Sequence, residues 1–380
     1  MGYWCVRVGN KTLPRFPRAH TNTPKASLRA EEVAPDSSEI IWILSKNKWR
    51  NSMSGKIHVE ETEIQGFRAL HITNQVLSLT IIPDLGGKIS SIRDLRNGRE
   101  WLWTNTQLPY QLHGYGTSYV QEADTGGWDE CFPTVSACSY PLPPWKGRSI
   151  PDHGEIWPLQ WSIKCDGDTE TTLIIDMQVQ SIGLPYVFQR IIRITADSPS
   201  LRFDYRVVNL SDNDTAFIWS SHPLFAVEPG MRIQLPDNTR MNTWVSMPAQ
   251  LDLQGGEQAW PIHAMLGEHE WDLSYMPDET AGIGIKLWSQ TLAQGFAALI
   301  AHDGEFRFTF DTAKLPQLGI WMNARGYSGM GGAPYYNLGL EPCIGAQDSL
   351  EDAVEKYQRY EMLPANGMKE WWLEIHLSAR

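Results

Sequence analysis

Leu201-Arg202-Phe203-Asp204-Tyr205-Arg206-Val207 alternates apolar and charged side chains with a period of two. That is the period of a β-strand with one buried and one solvated face. Phe306, Phe308 and Phe310 repeat the pattern around Arg307 and Thr309, and Leu373, Ile375 and Leu377 repeat it near the C-terminus. The run from Ala69 to Ile82 is rich in β-branched residues and ends at a turn signal, Pro83-Asp84-Leu85-Gly86-Gly87. Trp161 to Lys164 and Thr172 to Val179 flank Asp166-Gly167-Asp168, which reads as a hairpin loop. One helix is expected from Asp348, with Glu351 three residues on as a capping box. Its buried face would be Leu350, Ala353, Val354 and Tyr357. Many strands, few short helices and frequent Gly/Pro turns predict an all-β chain, a large antiparallel β-sandwich.

The organisation outside these strands is simple. Residues 1–52 carry Pro14, Pro17, Pro24 and Pro35 with little periodicity, so a loosely ordered N-terminal extension is expected there. Residues 53–380 read as a single domain, and Met53 is an alternative start. The basic N-terminus lacks an apolar core and makes a poor signal peptide. No window of about 18 apolar residues predicts a membrane helix. A formal net charge of -12 argues against a nucleic-acid partner. The five cysteines are odd in number and form no CxxC, so reduced thiols in a cytoplasmic protein are expected. Phosphate-binding glycine loops, HExxH and GxSxG are all missing, so nucleotide cofactors, zincin chemistry and esterase chemistry lack a motif. Seventeen tryptophans is a high count; many are expected in the core, and flat apolar rings also suit the C–H faces of sugars.

Three polar signatures stand out on this scaffold. His153 lies in Asp152-His153-Gly154-Glu155, where Asp152 or Glu155 could orient the imidazole. His222 closes the apolar run Phe217-Ile218-Trp219 just before Pro223, a place where burial should shift its pKa. Glu341 stands in Leu338-Gly339-Leu340-Glu341-Pro342, a carboxylate inside an apolar segment, and such charges are normally paired or functional. Two histidines and a carboxylate can supply an acid and a base near neutral pH. Trp128, Asp129 and Glu130 in a Gly-rich turn suit hydroxyl recognition, as does Trp321. Asp129 and Glu130 are neighbours in a strand and should point to opposite faces, so they do not make an acid/base pair.

Taken together, the three signatures resemble those of the galactose mutarotase-like, or aldose 1-epimerase, family from about Gly55 onward. Pro83-Asp84-Leu85-Gly86-Gly87-Lys88-Ile89 followed by Asn97-Gly98-Arg99-Glu100-Trp101 is similar to the family's opening strands. The resemblance implies a β-supersandwich and an isomerase of carbohydrate metabolism that opens the ring of a sugar. It implies that His153 steadies the sugar, that His222 is the acid on the ring oxygen, and that Glu341 is the base on the anomeric hydroxyl. Arg93 is the candidate for the family's sugar-contacting arginine, and Asp272 or Asp278, in the interval between the second histidine and the glutamate, for its hydroxyl-binding aspartate. The chemistry requires no metal and no organic cofactor. A small-molecule sugar, free or phosphorylated, is the expected partner of a monomer or homodimer, with no nucleic acid and no membrane. The alternatives are a carbohydrate-binding protein without catalysis and a carbohydrate-cleaving enzyme on the same sandwich.

Overall fold

A strand with one apolar face must bury that face against another sheet, and this chain does so on a large scale. The computed structural model describes residues 56–168, 170–253, 256–329 and 332–380. The extension expected over residues 1–52 lies outside them. Among the described residues, one sheet has eleven strands and the sheet facing it has eight. The central strands of the larger sheet run, in spatial order, Lys88–Asp94, Trp128–Cys131, Trp219–Phe225, Tyr336–Ile344, Gln317–Ala324 and Ile283–Ser289. The smaller sheet is built around Tyr186–Thr195, Ser200–Asn209 and Met368–Ala379. Each pairing within these two groups is antiparallel. The predicted all-β sandwich is the observed architecture.

Aromatic rings fill the space between the sheets. Trp128 stacks on Phe203 at 4.9 Å, and Trp219 meets Trp371 at 5.2 Å. Phe132 and Phe225 reach across to Phe188 and Phe306 in the same way. One charged pair is sealed within this layer. Arg190 and Glu130 are fully buried, with Nη1 donating to Oε1 at 3.0 Å. Tyr205 Oη and Trp219 Nε1 also donate to the Glu130 carboxylate, each at 3.0 Å. Burial pushes the Glu130 carboxyl up to about 7, against the pull of the Arg190 charge and these donors.

The structure redraws three local expectations. The run from Ala69 to Ile82 is two strands, Phe67–Thr73 and Leu77–Ile82, broken where Gln75 takes φ 73°. The hairpin strand Ser162–Asp168 runs through Asp166-Gly167-Asp168, so the turn falls beyond Asp168. Gly167 permits this, because a Cβ there would sit 2.5 Å from the Thr172 carbonyl oxygen. The helix is capped by Ser349, which accepts from the Asp352 N–H, and Glu351 accepts from Ser139 N instead of closing a capping box. Its α-turn Leu350–Asp352 widens into a π-turn, Ala353–Tyr357, which carries Tyr357 out to solvent.

The Glu130–Arg190 pair predicts an asymmetric mutational response. Arg190→Met strands a buried carboxylate and should lower unfolding free energy by about 3–5 kcal/mol in urea titrations. Glu130→Gln combined with Arg190→Met should restore much of that loss, because no buried charge remains.

Candidate active site

The outer face of the large sheet carries the other set of alternating residues. Register places Asp129 opposite His222 and Cys131 opposite Ser220 on neighbouring strands. On the next strands Glu341 is opposite Gly319, Trp321 opposite Gly339, and Lys286 opposite Trp321. Because side chains alternate, Asp129, His222, Glu341, Trp321 and Lys286 share one face, and Trp128 and Glu130 share the other. Five of the expected residues are brought together: Asp129, His222, Glu341 and Trp321 by strand register, and His153 by the loop that carries it against His222. Trp128 and Glu130 are not, because their strand turns them into the inter-sheet core, where both are at most 1% exposed. Arg93 is exposed and pairs with Glu100 at 3.8 Å. Asp272 accepts from the backbone and hydroxyl of Ser274 in a small separate hairpin. Neither joins the site.

Glu341 is fully buried. Lys286 Nζ donates to its Oε2 at 2.6 Å, Ser220 Oγ lies 3.4 Å from the same oxygen, and Oε1 has no partner. Two glycines make room for this carboxylate. A Cβ on Gly339 would lie 2.5 Å from Oε1, and one on Gly319 would lie 3.1 Å from Oε2. Burial alone would drive the Lys286 ammonium down, but the Glu341 and Asp348 charges win and hold it above its ordinary value. Its Nζ also lies 4.5 Å from the centre of the Trp288 ring.

The loop Pro151–Glu155 delivers the first histidine. His153 takes φ 59° and Gly154 φ 81°, and a Cβ on Gly154 would sit 2.0 Å from the Phe132 carbonyl oxygen. That close approach ties the loop to the end of the strand Trp128–Cys131. His153 Nδ1 donates to Asp152 Oδ1 at 2.8 Å, so Asp152 is the orienting group. Glu155 turns away and accepts from Ser181 Oγ at 2.7 Å and from Tyr115. Asp152 also accepts from Ser118 Oγ and the Val120 N–H. Burial would raise the Asp152 carboxyl, but the His153 charge and these donors bring it down to about 2.

The two imidazoles lie edge to face, 4.9 Å between centres. Their electrostatics diverge. Burial lowers His153, yet the Asp152 charge and hydrogen bond outweigh it and raise His153 above its usual value. Burial, followed by the positive charges of His153, Lys286 and Lys88, drives His222 well below its usual value. His222 Nδ1 is buried without a partner. Cys131 joins this pair, and one ligand atom from each of Cys131, His153 and His222 lies within 4.8 Å of the others.

Tyr119 covers the histidines from the π-turn Tyr119–Ala123. Its ring stacks on His153 at 4.1 Å and meets His222 edge-on at 5.6 Å. Its hydroxyl donates to Asp129 Oδ2 at 2.7 Å, and Lys88 Nζ pairs with the same oxygen. Lys88, Tyr119 and Lys286 were not singled out in the sequence. Lys286 carried a legible signal, a charge within the apolar strand Ile283-Gly284-Ile285-Lys286-Leu287-Trp288. Tyr119 carried none, since its segment has no periodicity.

No protein-family model and no curated protein matches this sequence. Solved structures do match in fold. A proposed aldose 1-epimerase from Klebsiella pneumoniae aligns with a TM-score of 0.61 at 17% identity, over 85% of this chain and 83% of that one. A galactose mutarotase-like protein from Clostridium acetobutylicum aligns with a TM-score of 0.56 at 13% identity, over 85% and 99%. The Slr1438 protein from Synechocystis sp. PCC 6803 aligns at 0.57 and 16%, over 82% and 96%. The chain therefore has the galactose mutarotase-like fold, the fold to which its three polar signatures pointed.

Proposed function

We propose that this site interconverts the α and β anomers of an aldose by acid/base ring opening. The observation that carries the reading is the state of Glu341: a buried carboxylate with one oxygen anchored by Lys286 and the other unpartnered, on the same sheet face as a histidine pair. In this reading Glu341 Oε1 takes the proton of the C1 hydroxyl. The histidine pair gives a proton to the ring oxygen, the C1–O5 bond breaks, and the open aldehyde forms. Rotation about C1–C2 and closure with the proton transfers reversed give the other anomer. Asp129 and Trp321 supply a hydroxyl acceptor and a flat apolar ring.

The acid is the point at which the electrostatics refine the expectation. His222 alone is a poor proton reservoir, because burial and three nearby cations hold it neutral. His153, braced by Asp152, keeps the proton at rest. We therefore assign the acid to the pair: His153 holds the proton at rest, and His222 lies beside it in edge-to-face contact. Each proton relay is worth roughly 10²–10⁴ in rate.

Glu341→Gln should cut anomer exchange by about 10²–10⁴, measured by saturation-transfer NMR over a panel of free and phosphorylated aldoses. Glutamine leaves Lys286 a carbonyl to donate to, so the thermal transition should survive. Undiminished exchange in that variant would remove the base. Histidine ring 15N shifts test the acid: His153 should stay cationic above pH 6.5 while His222 is neutral well below it. Asp152→Asn should bring His153 down. The sign of the linked stability follows. The raised His153 contributes below 6.5 and loses its contribution as pH climbs through its own value, and Asp152 contributes above 3.8 and loses it as pH falls toward about 2. The Asp152–His153 pair should thus stabilise the fold most between those two limits, and Asp152→Asn should flatten that part of the stability curve.

A further inference from the structure

We propose that Cys131, His153 and His222 form a binding site for a borderline-soft divalent cation, with zinc the best match. One nitrogen or sulfur atom from each residue already lies within 4.8 Å of the others, and all three residues are buried. They come from three segments held by different constraints: the end of the strand Trp128–Cys131, the loop tied down by Gly154, and the strand Trp219–Phe225. The convergence is therefore a product of the tertiary fold and not of a local sequence motif.

Three observations point from this cluster to a metal. One sulfur and two imidazoles are a donor set that suits zinc, and three protein ligands leave a fourth position open. His153 Nδ1 is committed to Asp152, which leaves Nε2 as the donor and reproduces the carboxylate–histidine bracing usual behind a metal ligand. His222 Nδ1 is a buried nitrogen with no partner. In a tetrahedral zinc site neighbouring ligand atoms lie roughly 3.5 Å apart, given metal–ligand bonds of about 2.0–2.3 Å. The cluster must therefore tighten by about an ångström, within the reach of side-chain rotation. On binding, Cys131 gives up its thiol proton and His153 its Nε2 proton to solvent, and the two coordinate as thiolate and neutral imidazole.

The site has a consequence for the chemistry proposed above, and only this consequence rests on that reading. A metal on His153 and His222 occupies the nitrogens that would carry the acid proton, so zinc should inhibit ring opening.

The test uses the full chain stripped with a chelator and then titrated with zinc chloride against a chromophoric competitor. One zinc per chain is expected. Cobalt(II) substituted in the same way should show a thiolate-to-metal band in the near ultraviolet and ligand-field bands of tetrahedral strength. Cys131→Ala and His153→Ala should each weaken zinc roughly 100-fold or more, and Asp152→Asn about 10–100-fold. Cys131→Ser, nearly isosteric, separates lost binding from lost folding, and Cys165→Ala, on a strand of the eight-stranded sheet, should leave the affinity unchanged. Absence of stoichiometric uptake, wild-type affinity in Cys131→Ala, or a cobalt complex without the thiolate band would each overturn the site. Stoichiometric zinc uptake together with no anomer exchange by the metal-free protein on any sugar would overturn the epimerase reading and leave the metal site standing.

Discussion

A carboxylate cannot be taken inside a β-sandwich without a cation or several donors beside it. Among the described residues, three pairs meet that constraint with both the carboxylate and the cation buried: Glu130–Arg190, Asp129–Lys88 and Glu341–Lys286. The first pair lies between the sheets and the other two lie on the outer face of the large one. Asp129 and Glu130 are adjacent, so the alternation of a single strand sends one carboxylate to the core and the next to the site. The partners of the three pairs stand 60, 41 and 55 positions apart in the chain, so each pair forms only when the tertiary fold brings its strands together.

The site's charge pattern follows from which cations lie where. Burial is the first cause that keeps His222 from gaining a proton, and the charges of His153, Lys286 and Lys88 add to it, although each lysine is committed to a carboxylate. Asp152 faces His153 instead and does the reverse. Two imidazoles of the same kind, in contact, are thus placed in opposite states by their second partners. Apart from its neighbours, nothing in a histidine decides whether it holds or passes a proton. The buried lysines therefore act on His222 as well as on the carboxylates they pair with.

That dependence explains what could be read from the sequence. The all-β architecture was legible because each strand carries its own period of two. His153, His222 and Glu341 were legible because each broke a local pattern: a charge or imidazole beside Gly, Pro or an apolar run. Lys286 broke the same rule, but its meaning depended on Glu341, 55 positions away, and nothing local announces such a pairing. Trp128 and Glu130 show the opposite error. They stand beside Asp129 in the chain, yet strand alternation separates them from it by the thickness of the sheet. Arg93 and Asp272 were placed by interval alone, and interval carries no information about which face or which hairpin a residue occupies. Ser349, one residue after Asp348, is the helix cap because the backbone there is extended. That choice between two good capping residues is made by the connection to the sandwich.

The cover over the site is fastened to groups the site itself would use. Tyr119 is held by its hydroxyl on Asp129, and its turn is held by Ser118 and Val120 on Asp152. Asp129 is also the acceptor proposed for a sugar hydroxyl, and Asp152 braces His153. Glu341 is fully buried, so on the proposed function a pyranose must displace part of this cover to reach it. A sugar hydroxyl donating to Asp129 would replace the bond that Tyr119 gives up, at little net cost in hydrogen bonding. A ligand lacking that hydroxyl would open the cover and leave a buried carboxylate short of a donor. On the proposed function the fastening would then discriminate between ligands before any proton moves, with selectivity in Asp129 and proton transfer in Glu341 and the histidines.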